Sequence, residues 1–532
     1  MNHVTLPPHL ESEREPLLLA LDASTTALKC QLFTCDTLEL VYSKSVDYGS
    51  ASPARLPSQH EAGRALFPSG LFFRALDEAL LALGLAWLNR VVAITGCAQQ
   101  HTCVLFTSPL GAPLDARLRW QVPVFDWSPT WQDSSTQREC AIMAAHLGST
   151  AERDVALEIS GSTLCQRFTG PQLAKLDKDV DLGAFTRVAL LSQALTSVLA
   201  NTLVPADLGD AAGMNLVDLH TLEWSPQLVE AVCQAASARL SPPALLRLLG
   251  SPPVPSATWY PLSPFFAQRY GLPASARVLS FTGDNLASFV ACECALVLSF
   301  GTSDTVCGSV DANAPSRPGS HTLVDPLDPS RRVRMLCWAN GSASREAVMK
   351  RTAKSWDEFD ALLVRGLNDA DARRCLSLEF PDVELIPATR RPGLKAYARI
   401  GDANVSTQGE PHASAHVDAF AVVWTRVLAM KSHAASTGMR AHDRVVVTGG
   451  AASNRGLVQI VSDVFGVPVD VADQGACLGG ALRLQRALGG EPLAARKRAK
   501  PASVQPRSDV GLEAELFALL GRMEAALASV SP

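Results

Sequence analysis

The chain has 532 residues, more than one ordinary core holds, and a prior of about 150 residues per domain points to two to four domains. With 47% hydrophobic and 19% charged residues and a net charge of −5, it has a globular composition, and the charge balance gives no sign of a nucleic-acid-binding surface. The apolar run Ala79 to Leu88 is far shorter than the about 20 residues a membrane span needs.

Residues 1 to 16 read as a disordered tail. PLLLALDAS then reads as a short buried strand ending in a polar turn. ALKCQLFTC alternates, with Leu28, Cys30 and Leu32 on one face, and LELVYSKSVDY continues as a third strand. ALLALGLAWL, between RALDE and NR, suits a buried helix. In RVVAITGCAQQHTCVLF a strand again leads into polar residues. RVLS reads as the strand before FTGDNLASF, which sets Asp284 beside Asn285 in apolar surroundings. A turn is the plain reading of Gly, Asp and Asn together. Yet a carboxylate is rarely placed among apolar residues without a partner.

ALVLSFGTSDTVCGSV repeats the opening pattern of strand, small polar turn and strand, about half the chain later. A repeat at that distance suggests two related domains, not a solenoid. RVVVTGGAASN is a strand followed by a Gly-Gly turn. NRGLVQIVSDVFG has helical spacing, with Leu457, Ile460, Val461, Val464 and Phe465 on one face, Asn454 as its cap and Gly466 at its end. VPVDVAD is the next strand, and ACLGGALRLQRALGG a helix of small residues fit for close packing. The basic run Arg496 to Lys500 reads as a solvated helix end, and GLEAELFALLGRMEAAL closes as an amphipathic helix. The alternation favours α/β architecture.

Three turns carry the chemistry: Asp22 to Thr26, Gly301 to Thr305 and Thr448 to Ser453. Glycine and small residues let backbone N–H groups approach an anion, and hydroxyls add donors. Two such turns facing each other across a cleft would hold a polyphosphate. Asp22 would need a cation there, and Mg²⁺ bound through water is the natural bridge. No Walker-type P-loop is present. Thirteen scattered cysteines, with a polar N-terminus unlike a signal peptide, read as reduced thiols in the cytoplasm, without the paired spacing of a zinc site.

LDASTT, GCAQQH, PTWQDSST, QRFTGPQ, AAGMNL, FTGDNLAS, LSFGTSDT, NGSASRE and VTGGAASNRGL come in the order of the FGGY carbohydrate kinases, which the chain resembles from about Leu18 to about Gly490. It looks most like their eukaryotic-type xylulose kinases. The resemblance implies an actin-like, ribonuclease-H-like fold, with a sugar-binding domain over 17–283, a nucleotide-binding domain over 284–532, and the active site in the cleft between them. It implies Asp284 as catalytic base, and His101, Arg167, Asp284 and Asn285 as sugar contacts. ATP would meet Ser24, Thr25, Gly301, Thr302, Ser303, Gly449, Gly450 and Asn454, with Trp356 of KSWDEF against the base and Asp22 serving the metal. An aspartate at its ordinary pKa of about 3.9 would already be ionised at pH 7 and ready to accept a proton.

The reaction implied is transfer of a phosphoryl group from Mg·ATP to a ketose hydroxyl, with D-xylulose the first candidate. The alternatives are a sister kinase for ribulose or glycerol, and a non-catalytic sugar sensor, which would not need Asp284. The partners are then a small sugar and ATP, without nucleic acid or membrane, and the chain is open to being monomer or dimer. Four departures from the family pattern stand out: Ala20 and Thr102 where Gly is usual, Phe73 where Trp is usual, and a stretch from Gly366 to Pro387 without the usual Gly-rich run.

Overall fold

A computed structural model describes residues 15–50, 59–110, 122–150, 152–292, 296–389, 391–405, 407, 409–441, 443–472, 475–489, 503–507 and 512–530. The expected tail up to residue 14 and the basic run Arg496 to Lys500 lie outside these residues. The chain divides into two compact units. The first takes in the chain up to Ala291, with Leu323–Pro329 and the helix Ala476–Ala487; the second takes most of the remainder. The boundary expected between 283 and 284 falls instead after Ala291, so Asp284 belongs to the first unit.

The first unit is built on a sheet of β1 (Leu17–Ala23), β2 (Ala27–Thr34), β3 (Leu40–Asp47), β4 (Val91–Ala98), β5 (Trp259–Pro261), β6 (Arg277–Leu279) and β7 (Thr282–Gly283). Its order is β5-β6-β4-β1-β2-β3, with β7 also paired to β4. β1 runs antiparallel to β2 and parallel to β4. Every residue of β1 is buried, so its apolar run needs no alternation: it is covered on both faces. The helix Gly70–Leu83 packs its Leu71, Phe72, Leu76 and Leu80 into the same core as Leu19, Leu21 and Leu32. The single helix expected through Leu88 is in fact two, because Gly84 turns into the left-handed region at φ 72° and a separate turn follows over Leu85–Leu88.

The second unit repeats the plan. β8 (Leu296–Phe300), β9 (Asp304–Asp311), β10 (Ser320–Val324), β11 (Arg331–Trp338), β12 (Val445–Thr448) and β13 (Val469–Val471) form a sheet in the order β10-β11-β9-β8-β12-β13. β8 is antiparallel to β9 and parallel to β12, as β1 is to β2 and β4. Turns of equal length join the two hairpins: Ser24 to Thr26 in the first and Gly301 to Ser303 in the second. The helix Arg455–Phe465 buries Leu457, Ile460, Val461 and Val464, is capped by Asn454 Oδ1 accepting from Leu457 N at 2.7 Å, and ends at Gly466 with φ 69°. The doubled α/β plan is that of the two-domain actin-like fold.

Candidate active site

Register brings the acidic residues of the first unit to one end of the sheet. Asp22 pairs with Cys97 across β1 and β4, and Cys97 with Thr282 across β4 and β7. Asp22 therefore closes β1 beside the point where β7 gives way to the helix Asp284–Ala291. The Cys97 thiol lies 3.5 Å from Asp22 Oδ1. Glycine is obligatory at two steps of this end. A Cβ on Gly96 would stand 2.5 Å from Leu21 O, and one on Gly283 would stand 2.7 Å from the Gln100 side chain.

Asp284 opens its helix, and its Oδ1 accepts the Asn285 N–H at 2.8 Å. The residue is half-buried, but protein surrounds the carboxyl closely enough for lost hydration to push its pKa up to about 7. The Asp22 charge adds to the rise, and the backbone N–H groups of Asn285 and Gln100 ease it. This corrects the expectation of an ordinary aspartate. Burial raises Asp22 as well, with Lys29 lowering it in part. Asn285 is exposed and donates Nδ2 to Gln100 Oε1 at 2.9 Å and to Asp284 Oδ1 at 3.3 Å.

His101 follows β4 with φ 66°, a left-handed backbone that costs a non-glycine residue energy and commonly marks a functional position. Its ring stacks on Phe168 at 4.2 Å, and Nδ1 lies 2.8 Å from the Gly213 carbonyl. The carbonyl fixes the tautomer with hydrogen on Nδ1, which makes Nε2 an acceptor. A Cβ on Gly213 would press the ring at 3.1 Å, which accounts for the glycine of AAGMNL. Arg167, next to Phe168, is half-buried and makes no ion pair or hydrogen bond among the described residues.

Ser24 bonds back to Ala27 O through N and Oγ, at 3.1 and 2.9 Å, and Thr25 Oγ1 accepts from Trp131 of PTWQDSST at 3.0 Å. Of the departures, Ala20 lies in the core against the helix Ala476–Ala487, where Gly480 leaves it room. Phe73 is a core residue of the helix Gly70–Leu83. Thr102 is buried, its carbonyl accepts from Leu191 N at 2.9 Å, and its hydroxyl has no hydrogen-bond partner among the described residues.

The second unit encloses a cavity of about 540 Å³, within the range of small-ligand sites. Gly301 and Thr302 of the β8–β9 turn line it, with Ser342 and Arg345 from the helix Ser342–Thr352. Gly450 and Asn454 come from the turn after β12, and Phe359, Leu363 and Leu457 make an apolar wall. Trp356 also lines the cavity and is 48% exposed, so it is not a core tryptophan. Ser303 and Gly449 sit next to lining residues without lining the cavity themselves. Gly449 has φ 89°, and a Cβ there would stand 2.6 Å from Phe300 O. The altered stretch from Gly366 to Pro387 contributes no lining residue. Beneath the β8–β9 turn, Arg345 donates to both Asp304 oxygens at 2.9 and 2.8 Å and to Gly301 O at 3.1 Å. Sequence reading missed this clamp, although Arg345 lies within the quoted NGSASRE.

The acceptors and the cation of the first unit suit a polyol, and the cavity of the second suits a nucleotide-sized ligand. The profile of the FGGY family of carbohydrate kinases, C-terminal domain, matches residues 296–488. A mouse (Mus musculus) xylulose kinase is 31% identical over 422 residues, which are 76% of this chain and 72% of that protein. Xylulose kinase 2 of Arabidopsis thaliana is 28% identical over 515 residues, 91% of this chain and 88% of that one. A crystal structure of ligand-bound xylulose kinase from Lactobacillus acidophilus superposes with a TM-score of 0.75 at 17% identity, over 97% of this chain and 99% of that chain. The chain belongs to the FGGY family of carbohydrate kinases. Its substrates are accordingly a small sugar and a phosphoryl donor. Among the described residues no helix is long and apolar enough to cross a membrane.

Proposed function

We propose that the protein phosphorylates D-xylulose with Mg·ATP, giving D-xylulose 5-phosphate. The observation that carries this is Asp284, a carboxyl poised near neutrality at the sheet end, in the same unit as His101 and Arg167, which has no ion pair among the described residues. The names of the curated relatives supply the sugar. His101 Nε2, Arg167 and Asn285 bind and orient the ketose, and Asp284 accepts the proton of its terminal hydroxyl as that oxygen bonds to phosphorus. Gly301, Thr302, Gly450 and Asn454 hold the nucleotide, Trp356 covers its base, and Ser24, Thr25, Ser303 and Gly449 shape the turns that serve its phosphates. The domain split proposed with this is sugar on the first unit and nucleotide on the second.

Asp22 is a desolvated carboxylate without an ion pair among the described residues, and no set of three or more His, Cys, Asp or Glu able to hold a metal occurs among them. That donor set fits Mg²⁺, which keeps several waters and is bound through one or two carboxylates and substrate phosphates. When bound, the ion would offset phosphate charge. A cytoplasmic location goes with this reading, and the twelve cysteines described are all free.

Thr102 supports a second reading, a kinase for ribulose or glycerol, because its buried hydroxyl lies next to His101. A coupled ADP-release assay over a panel of ketoses and polyols tests both. D-xylulose should give the highest kcat/KM. A higher value for another acceptor replaces the sugar, and no turnover with any of them leaves the sensor.

A further inference from the structure

Behind Asn285 lies a buried polar pair that the reaction does not use. Asp210 sits on the short helix Leu208–Ala211, which Asp207 caps, and its Oδ2 is 2.5 Å from Ser192 Oγ. Gln100 is also buried, and its Oε1 takes the Asn285 Nδ2 hydrogen at 2.9 Å. Among the described residues, Gln100 Nε2 and Asp210 Oδ1 complete no regular hydrogen bond of their own. Both crowd Gly283, lying 2.7 and 2.8 Å from where its Cβ would be. A donor and an acceptor thus meet over a glycine that has no side chain to separate them.

We propose that Asp210 is a positioning residue of the sugar site: through Gln100 it fixes which way the Asn285 amide faces, so that Asn285 offers its carbonyl oxygen to a substrate hydroxyl. This rests on the function proposed above and adds the sense of one contact to it. The logic is one of donors and acceptors. With Gln100 Nε2 toward Asp210, Gln100 Oε1 must face Asn285. A flipped Gln100 would set two amide NH₂ groups against each other and its carbonyl against the Asp210 oxygen. Asn285 then spends Nδ2 on Gln100 and Asp284, and its Oδ1 is left to accept from the ligand. Burial pushes the Asp210 carboxyl up to about 8, with the nearby Asp207 and Asp284 charges adding to the rise and Ser192 and Gln100 easing it. Ser192 Oγ donates to Oδ2 when the carboxyl is ionised, and either form leaves Oδ1 toward Gln100 as the acceptor. Asparagine can keep that acceptor, with its Oδ1 toward Gln100 and its Nδ2 toward the Ser192 oxygen.

The test measures KM for the best sugar of the panel and for ATP in Asp210→Asn, Asp210→Ala, Gln100→Leu and the double variant Asp210→Ala/Gln100→Leu. Asp210→Ala and Gln100→Leu should each raise the sugar KM about tenfold or more, with the ATP KM within about twofold of wild type. The double variant should be no worse than the worse single, since both break one chain of contacts. Asp210→Asn should stay within about threefold of wild type. An unchanged sugar KM in Asp210→Ala, losses that multiply in the double variant, or an Asn variant as impaired as the Ala one overturns the inference. If Asp210→Ala does not fold, Gln100→Leu, which leaves the Ser192 contact intact, and Asp210→Asn decide alone. Absence of turnover with any sugar overturns the proposed function and this inference with it; a sugar KM indifferent to both sites overturns this inference only.

Discussion

Asp284 must be ionised to accept a proton, and burial together with the Asp22 charge makes ionisation costly. Its native pKa of about 7 lies above the unfolded 3.8, so two consequences follow with opposite sign. The working form is lost as pH falls, and kcat/KM for the sugar should drop on the acid side with a midpoint near 7 in a pH–rate profile. Stability moves the other way. The ionised carboxyl opposes folding in full above about pH 7, and that opposition fades as pH falls toward 3.8. Asp284→Asn should therefore raise Tm at pH 8, and raise it less at pH 5, while kcat falls by about 10² to 10⁴. Calorimetry and the ADP-release assay read the two effects; more than a tenth of the wild-type kcat in the variant would remove Asp284 as the base. His101→Ala and Arg167→Ala should instead raise KM for the sugar, with a smaller change for ATP; a change confined to ATP would misplace the sugar site. Sequence alone singled out Asp284, His101 and Arg167 as candidates through their motifs. It did not reveal the raised pKa, which depends first on burial of the carboxyl and then on Asp22, far away in the chain. Nor did it reveal the left-handed backbone of His101 or the Gly213 carbonyl that sets its tautomer.

The helix Ala476–Ala487 shows what a single element contributes. It comes late in the chain, yet packs on β1, β4 and the helix that carries Asp284. Contact is close enough that a Cβ on Gly479 would stand 1.8 Å from Ala287 O, which is backbone and cannot give way by changing rotamer. Alanine gains about 1 kcal/mol of helix propensity over glycine. Overpacking a tight contact costs typically 1–3 kcal/mol and sometimes more. The clash wins, and Gly479→Ala should lower Tm and, by shifting the Asp284 helix, lower kcat. A variant of unchanged Tm would mean that the two helices separate freely. The small residues of ACLGGAL were legible as a packing surface; the partner was not, since nothing local says which helix lies opposite. Gly84 is the reverse case. The residue was in plain view inside ALLALGLAWL, but an apolar run reads as continuous unless the glycine's backbone conformation is known.

At the scale of the molecule, the repeat of strand, three-residue turn and strand was visible in the sequence and recurs as two sheets of the same plan. What differs is the cargo of each unit: Asp22, His101, Arg167 and Asp284 in the first, the cavity with Trp356 and Arg345 in the second. Binding of nucleotide and of sugar should then respond to different substitutions. Arg345 is the sharpest probe of this. It ties Asp304 and the Gly301 carbonyl together under the turn that lines the cavity. Removing one partner of a buried pair leaves the other desolvated and costs about 3–5 kcal/mol, and among the described residues Asp304 would retain Arg426 alone as an ion-pair partner, at 3.5 Å. Lysine keeps the charge but cannot span both partners as a guanidinium does. The expected order of ATP affinity is wild type, Arg345→Lys, then Arg345→Ala, with sugar affinity unchanged in all three. Trp356, exposed at the cavity, should report nucleotide binding by its fluorescence, and Trp356→Phe should abolish that signal while the other tryptophans remain. Equal ATP affinity in wild type and Arg345→Ala would show that the turn keeps its shape without the clamp. A parallel loss of sugar affinity would show that the two ligand sites are not separable by unit.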